Sequence, residues 1–166
     1  MTSIFFNAWR IISAIIVLAL LMLFYVGLPE SLAIKHNEVG RPIAFMDKQN
    51  FYYLTVAVVV GFNFLVTLLR DAIIKLDYKK VAPNSSWAST PERLTNEIKS
   101  WSNALMAIVN TFLIFIMLGI RSINVEVSQN LDRNYDWLLI GGAIALLIVL
   151  AYLPIRLLFT KPSAEI

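Results

Sequence analysis

The sequence predicts an all-α fold, an integral membrane bundle of four transmembrane helices, on three observations. Four apolar runs, Ile11–Leu28, Phe51–Leu69, Trp101–Ile120 and Trp137–Leu153, contain no acidic or basic side chain, and each is about as long as a helix must be to cross the hydrocarbon of a bilayer. Composition is shifted the same way. Apolar residues make up 58% and charged residues 15%, with mean hydropathy +0.71, where soluble chains have about 45–50% and about 25%. The basic residues, finally, gather at the flanks of the runs on one side. The expected spans are 9–28, 51–70, 101–120 and 137–158, in a single membrane domain over 1–166 with no room for a separate soluble catalytic domain.

Orientation follows from the 14 Lys and Arg residues. Nine of them (Arg10, Arg70, Lys75, Lys79, Lys80, Arg93, Lys99, Arg156 and Lys161) flank the runs on one side, and five (Lys35, Arg41, Lys48, Arg121 and Arg133) on the other. The positive-inside bias therefore places the N and C termini and the 71–100 loop in the cytoplasm, with the 29–50 and 121–136 loops outside. Carboxylates are interspersed and no basic stripe forms, which argues against a nucleic-acid partner. The absence of cysteine removes disulfides, thiolate metal sites and thiol nucleophiles.

In chain order, Trp9 and Arg10 sit where the first span leaves one interface and Tyr25 near the other, as interfacial aromatics do. Pro29 closes this helix. The run is too long for a cleaved leader, and Gly27-Leu28-Pro29-Glu30 is no small-x-small site. Pro29–Asn50, with Gly40, Pro42, His36 and scattered charges, reads as a loop without sustained helical periodicity; Phe51, Tyr52 and Tyr53 mark re-entry. After Arg70, the alternation of Ile73, Ile74 and Leu76 with Asp71, Lys75, Asp77 and Lys79 predicts that the second helix continues until about Lys80. Pro83-Asn84-Ser85-Ser86 is loop chemistry. Ser89-Thr90-Pro91-Glu92 resembles a helix start with a hydroxyl cap, an early proline and an acidic first turn, so the third helix should begin well before Trp101. In the last helix, Pro154 removes a backbone hydrogen bond just before Arg156 reaches outward. The two halves do not echo each other as inverted transporter repeats would.

Within the runs, Ala57 and Gly61, and Gly141 and Ala145, are small residues four apart, the spacing that lets helix backbones approach closely. Intramolecular packing is their expected use, and a seam for another subunit the alternative. Asn63, Asn103, Asn110 and Thr111 are the most polar side chains inside the runs and require partners in lipid. Asn103 and Asn110 share a helix face, and hydrogen bonding between helices is expected there rather than an ion site, because amides do not titrate. His36 is the only histidine, which excludes a two-histidine haem or a multi-histidine metal site within one copy. It is expected to be solvated rather than to join Glu30, Glu38 and Asp47 around a metal. No nucleophile triad, phosphate loop or metalloprotease helix is present, so neither an enzyme nor a cofactor is expected.

The stretch Leu28 to Pro42 resembles the opening loop of the SdpI-related membrane family of unknown function. That loop carries Leu-Pro, an apolar alternation, a His-x-Asn-x-x-Gly-x-Pro segment and a lysine shortly before the second span. Leu28, Pro29, Asn37, Gly40, Pro42 and Lys48 match at that spacing; the family's histidine falls at Lys35, and Ile43 stands where an acid usually follows the proline. The likeness covers roughly the first 70 residues. It implies a small bacterial cytoplasmic-membrane protein with this loop outside, among relatives that include toxin-immunity and signalling proteins. This chain is expected to lack the further membrane region of the longer relatives, which weighs against an immunity role.

Two functions follow as expectations. The first is a non-enzymatic scaffold or accessory subunit of a larger inner-membrane complex, with partner subunits bound through helix seams and the 71–100 loop. The second is an SdpI-like immunity or envelope-signal sensing protein acting through the Pro29–Asn50 loop. Transport is weaker than either, because the interior carries no charge.

Overall fold

The computed structural model describes residues 2–131 and 135–162. Its elements are α1 (Thr2–Gly27), β1 (Ser31–His36), β2 (Pro42–Asp47), α2 (Lys48–Ile74), α3 (Tyr78–Val81), α4 (Pro91–Asn124) and α5 (Asp136–Phe159). Four of these, α1, α2, α4 and α5, are long and apolar enough to cross a membrane, so the chain is a multi-pass membrane protein of mostly helical fold. Their outer faces carry Ile, Leu, Val and Phe exposed to the surroundings, as helices in lipid do, since lipid tails solvate apolar side chains as well as a protein core does.

α4 is the hub. In its most apolar 18-residue window 44% of residues are buried, against 22% in α1, 17% in α2 and 0% in α5. Contacts along the helices fix their directions. Trp9 meets Thr111, and the cluster of Val17, Leu21 and Phe24 packs on Met117 further along, so α1 runs parallel to α4. Asn63 meets Asn110 and Thr67 meets Met106, so α2 is antiparallel. Trp101 meets Val149 and Glu97 meets Arg156, so α5 is antiparallel too. The start of α1, the end of α5 and the segment 75–90 thus share one face, here the terminal face. The hairpin face lies opposite.

Three local outcomes differ from the sequence reading. Residues 31–47, read as a loop, form an antiparallel hairpin in which Ser31 pairs with Asp47 and Leu32 with Met46. The second helix ends at Ile74 rather than near Lys80: Lys75 and Leu76 donate to Ala72 and Ile73 in a tightened last turn, and Asp77 leaves the helical region before the single turn of α3. The third long helix does start at Pro91, but no hydroxyl caps it. Thr90 Oγ1 is buried without a partner, while Ser89 donates to the Ser86 carbonyl.

Under the terminal face, Trp87, Leu94 and Ile98 form a small core with Ile74, Tyr78, Leu153 and Leu157, and Trp87 Nε1 donates to the Thr160 carbonyl at 2.9 Å. The 82–90 loop is thereby tied to the end of α5. Burial pushes the Tyr78 phenol above its ordinary pKa, and its hydroxyl donates to the Ile73 carbonyl across the α2–α3 bend.

Candidate functional site

Polar side chains in an apolar helix must find hydrogen-bond partners, and three of the expected four residues, Asn63, Asn110 and Thr111, find them across helices. Asn110 is fully buried. Asn63 Nδ2 donates to Asn110 Oδ1 at 2.9 Å, and the Asn110 amide approaches Asn63 Oδ1 at 3.4 Å and Ser13 Oγ at 3.5 Å. One polar layer thus joins α1, α2 and α4 midway along the apolar run of α4. Ser13, absent from the sequence-based candidates because serine is common in such helices, is its third member. Trp9 Nε1 donates to Thr111 Oγ1 at 3.1 Å one turn away.

Asn103 departs from expectation: it lies on the same face and is 6% exposed, yet its Oδ1 has no partner. Toward the hairpin face the seam is closed by Val17, Leu21, Phe24, Val59 and Met117. The polar layer is a dead end, without a titratable side chain in the layer itself.

The small residues are placed differently from the prediction. Ala57 and Gly61 are exposed on the outer face of α2, and a Cβ at Gly61 would meet nothing within 4 Å. Gly141 is exposed as well; its neighbour Gly142 carries the helix contact, where a Cβ would overlap the Phe112 ring. Ala145 is half-buried and, with Trp9, Phe112, Phe115 and Trp137, lines an apolar groove of about 350 Å³ between α4 and α5. Nearer the terminal face a larger groove of about 750 Å³ is lined by Ser3, Asn96, Ser100, Trp101 and Tyr152 and bounded by the Arg156–Glu97 pair at 2.8 Å. Trp101 Nε1 donates there to the Val149 carbonyl, beside the Leu150 carbonyl that Pro154, lacking an N–H, leaves without its helical donor.

The hairpin explains the motif residues. Asn37 Oδ1 accepts from the backbone N–H groups of Val39 and Arg41, at 3.1 and 2.8 Å, and closes the turn. Gly40 has φ +77°, in the left-handed region open to glycine, and a Cβ there would stand 2.7 Å from the Leu131 carbonyl oxygen. Pro29 follows the end of α1 and Pro42 opens β2. Lys48 at the start of α2 reaches Glu30 Oε1 at 2.7 Å and lies over the Tyr25 ring at 5.3 Å. His36 is not free in solvent as expected: its Nε2 sits 2.9 Å from the Gln129 carbonyl, so that nitrogen carries the proton and donates. Among the described residues no group of three His, Asp or Glu side chains could hold a metal ion.

The end of α4 and the segment after it hold the hairpin from the other side. Asn124 pairs with Ala33 through both amide atoms, accepting at 2.7 Å and donating at 3.2 Å. Gln129 donates to the Ser31 carbonyl and Leu131 to that of Gly40. Sequence reasoning missed Asn124 because it lies just past an apolar run, where a polar residue is unremarkable. So held, the hairpin presents Ile34, Ile43 and Phe45 outward, at 47%, 53% and 52% exposure. Arg133, counted among the charges of this face, lies outside the described residues. Comparison with protein-family models, with curated proteins and with solved structures gave no match.

Proposed function

We propose that this chain is a non-enzymatic accessory subunit of a larger complex in the bacterial cytoplasmic membrane, with the terminal face in the cytoplasm. The observation that carries the reading is the outward position of Ala57 and Gly61: among the described residues no helix packs on this small face, so it is available for close approach by a helix of another subunit. The inner polar layer supports the same reading, since Asn63, Asn110 and Ser13 fix helix positions and offer no group for proton or ion chemistry.

The test is affinity purification of the tagged protein from native membranes in mild detergent, compared with a Gly61→Leu variant. A stoichiometric partner retained by the wild type and released by the variant is the expected result. A monomer with nothing co-purifying ends this reading.

The exposed Ile34, Ile43 and Phe45 favour a second reading, an SdpI-like immunity or envelope-signal sensing protein that recognises its target through the hairpin. Because Asn37 and Gly40 hold the turn, replacing them would break the platform rather than its recognition surface. Phe45→Ser and Ile43→Ser are the informative changes. Unaltered protection or signalling in both, at normal protein levels, counts against the hairpin.

A further inference from the structure

A second polar region lies on the same three-helix seam, between the amide layer and the terminal face. Ser13 and Asn63 both meet Asn110. Arg10 is three residues before Ser13, Arg70 seven after Asn63 and Asn103 seven before Asn110, spacings that return to the same helix face. All three side chains therefore spring from faces turned to the α1/α2/α4 seam, about 4.5 to 10.5 Å beyond the amide layer.

Their charges are poorly matched within the chain. Arg10 and Arg70 are near enough to repel one another, and Lys75 and Lys99 approach from the ends of α2 and α4 toward Asp71. Asp71 faces three of these cations, Arg70, Lys75 and Lys99, and is bound by Arg70 Nε at 2.8 Å, while Arg10 has the neutral Asn7 Oδ1 at 3.2 Å. Snorkelling alone would carry each arginine separately to water. Here two guanidinium groups from different helices lie within electrostatic reach of one another, and the Arg70 side chain is only 17% exposed. Asn103 adds a buried amide oxygen without a partner; turned by half a rotation, the amide presents an N–H donor instead. Arg10 and Arg70 directly flank the apolar runs that begin at Ile11 and end at Leu69, and their long side chains reach from there toward the interface of the terminal face, where lipid phosphates lie.

We infer that this cluster binds the phosphodiester of an anionic phospholipid seated against α1 and α2 at the terminal face. The phosphate oxygens accept from Arg10 and Arg70, relieve their repulsion, and leave Asp71, Lys75 and Lys99 at the rim. The fork geometry of guanidinium matches phosphate oxygens in pairs, and basic pockets between transmembrane helices suit such headgroups. The site goes beyond the accessory-subunit reading and does not depend on which side of the membrane the terminal face occupies.

The experiment is native mass spectrometry of the full chain released from nanodiscs holding phosphatidylcholine and phosphatidylglycerol in equal amounts. Wild type should retain phosphatidylglycerol preferentially, and Arg10→Gln with Arg70→Gln should reduce that preference roughly 25-fold, at roughly fivefold per charge. Lys161→Gln, an exposed cation on the same face, should change it little. Equal retention of the two lipids by the wild type overturns the inference even if the double variant does not fold. Thermal stabilisation by inorganic phosphate alone in phosphatidylcholine discs, with no added effect of phosphatidylglycerol, overturns the lipid assignment in favour of a soluble anion.

Discussion

At the scale of single residues, what separates Asn110 from Asn103 is whether a neighbour answers the amide. Asn110→Leu removes the acceptor of Asn63 and the partner of Ser13, and should lower stability by about 0.5–2 kcal/mol, the span of values for interhelical hydrogen bonds in membranes. Asn103→Leu removes an oxygen that has no partner, so in neutral detergent it should leave stability unchanged or raise it. Thermal unfolding of the purified variants distinguishes the two, and equal losses would show that burial rather than pairing sets the cost. Both asparagines were legible in the sequence as lone amides in apolar runs. Which of them would be paired was not, because pairing depends on helix rotation, which hydropathy does not report. The same ambiguity separates Gly141 from Gly142: one residue is 100° around the helix, and only Gly142 meets Phe112. Gly142→Leu should therefore disrupt α4–α5 packing, while Gly141→Ala should be tolerated at wild-type melting temperature.

At the scale of elements, the hairpin is the feature the sequence concealed. Pro42-Ile43-Ala44-Phe45-Met46 is apolar on both faces of the strand, so it lacks the period-two alternation that marks a half-buried strand. Much of its support comes from Asn124, Gln129 and Leu131, about 90 residues away in sequence. Asn124→Ala should loosen the hairpin without unfolding the helices, seen as faster amide hydrogen exchange over 31–47 and unchanged exchange in α4. Uniform acceleration through α4 would instead make Asn124 a helix-stability residue. The bend between α2 and α3 was hidden for a related reason, since the apolar spacing continues past Ile74 while the backbone hydrogen bonds there step from i−4 to i−3. Tyr78 spans that bend as a neutral phenol donating to Ile73. Its folded-state pKa is raised by burial, so its contribution is complete below the unfolded value of about 10 and is lost as pH rises through the folded value. Alkaline melting curves of the wild type and Tyr78→Phe should accordingly converge above that range, and curves that stay parallel would show that the hydroxyl contributes nothing.

At the scale of the whole molecule, four spans were legible because lipid demands long uncharged runs, a constraint local to each helix. The arrangement around α4 was not legible, because in lipid every helix face is apolar and the inward face is marked only by a few small or polar residues. Those cues misled at Ala57, Gly61 and Gly141 and succeeded at Asn63 and Asn110. Orientation rests on a collective quantity, the charge difference across the bilayer, and it governs which surfaces can meet which partners. If the terminal face is cytoplasmic, the lipid-binding cluster faces the leaflet whose anionic surface attracts basic residues, and the hairpin with Phe45 faces the envelope. The chain has no cysteine, so single cysteines report position without background. Asn84→Cys on the terminal face and Val39→Cys at the hairpin turn are both exposed sites. In intact cells a membrane-impermeant maleimide should label Cys at position 39 and spare position 84, with both labelled after the membrane is opened. The reverse pattern would place the hairpin in the cytoplasm, remove the envelope-sensing reading altogether, and leave the outward small-residue face of α2 as the surface on which a function must be built.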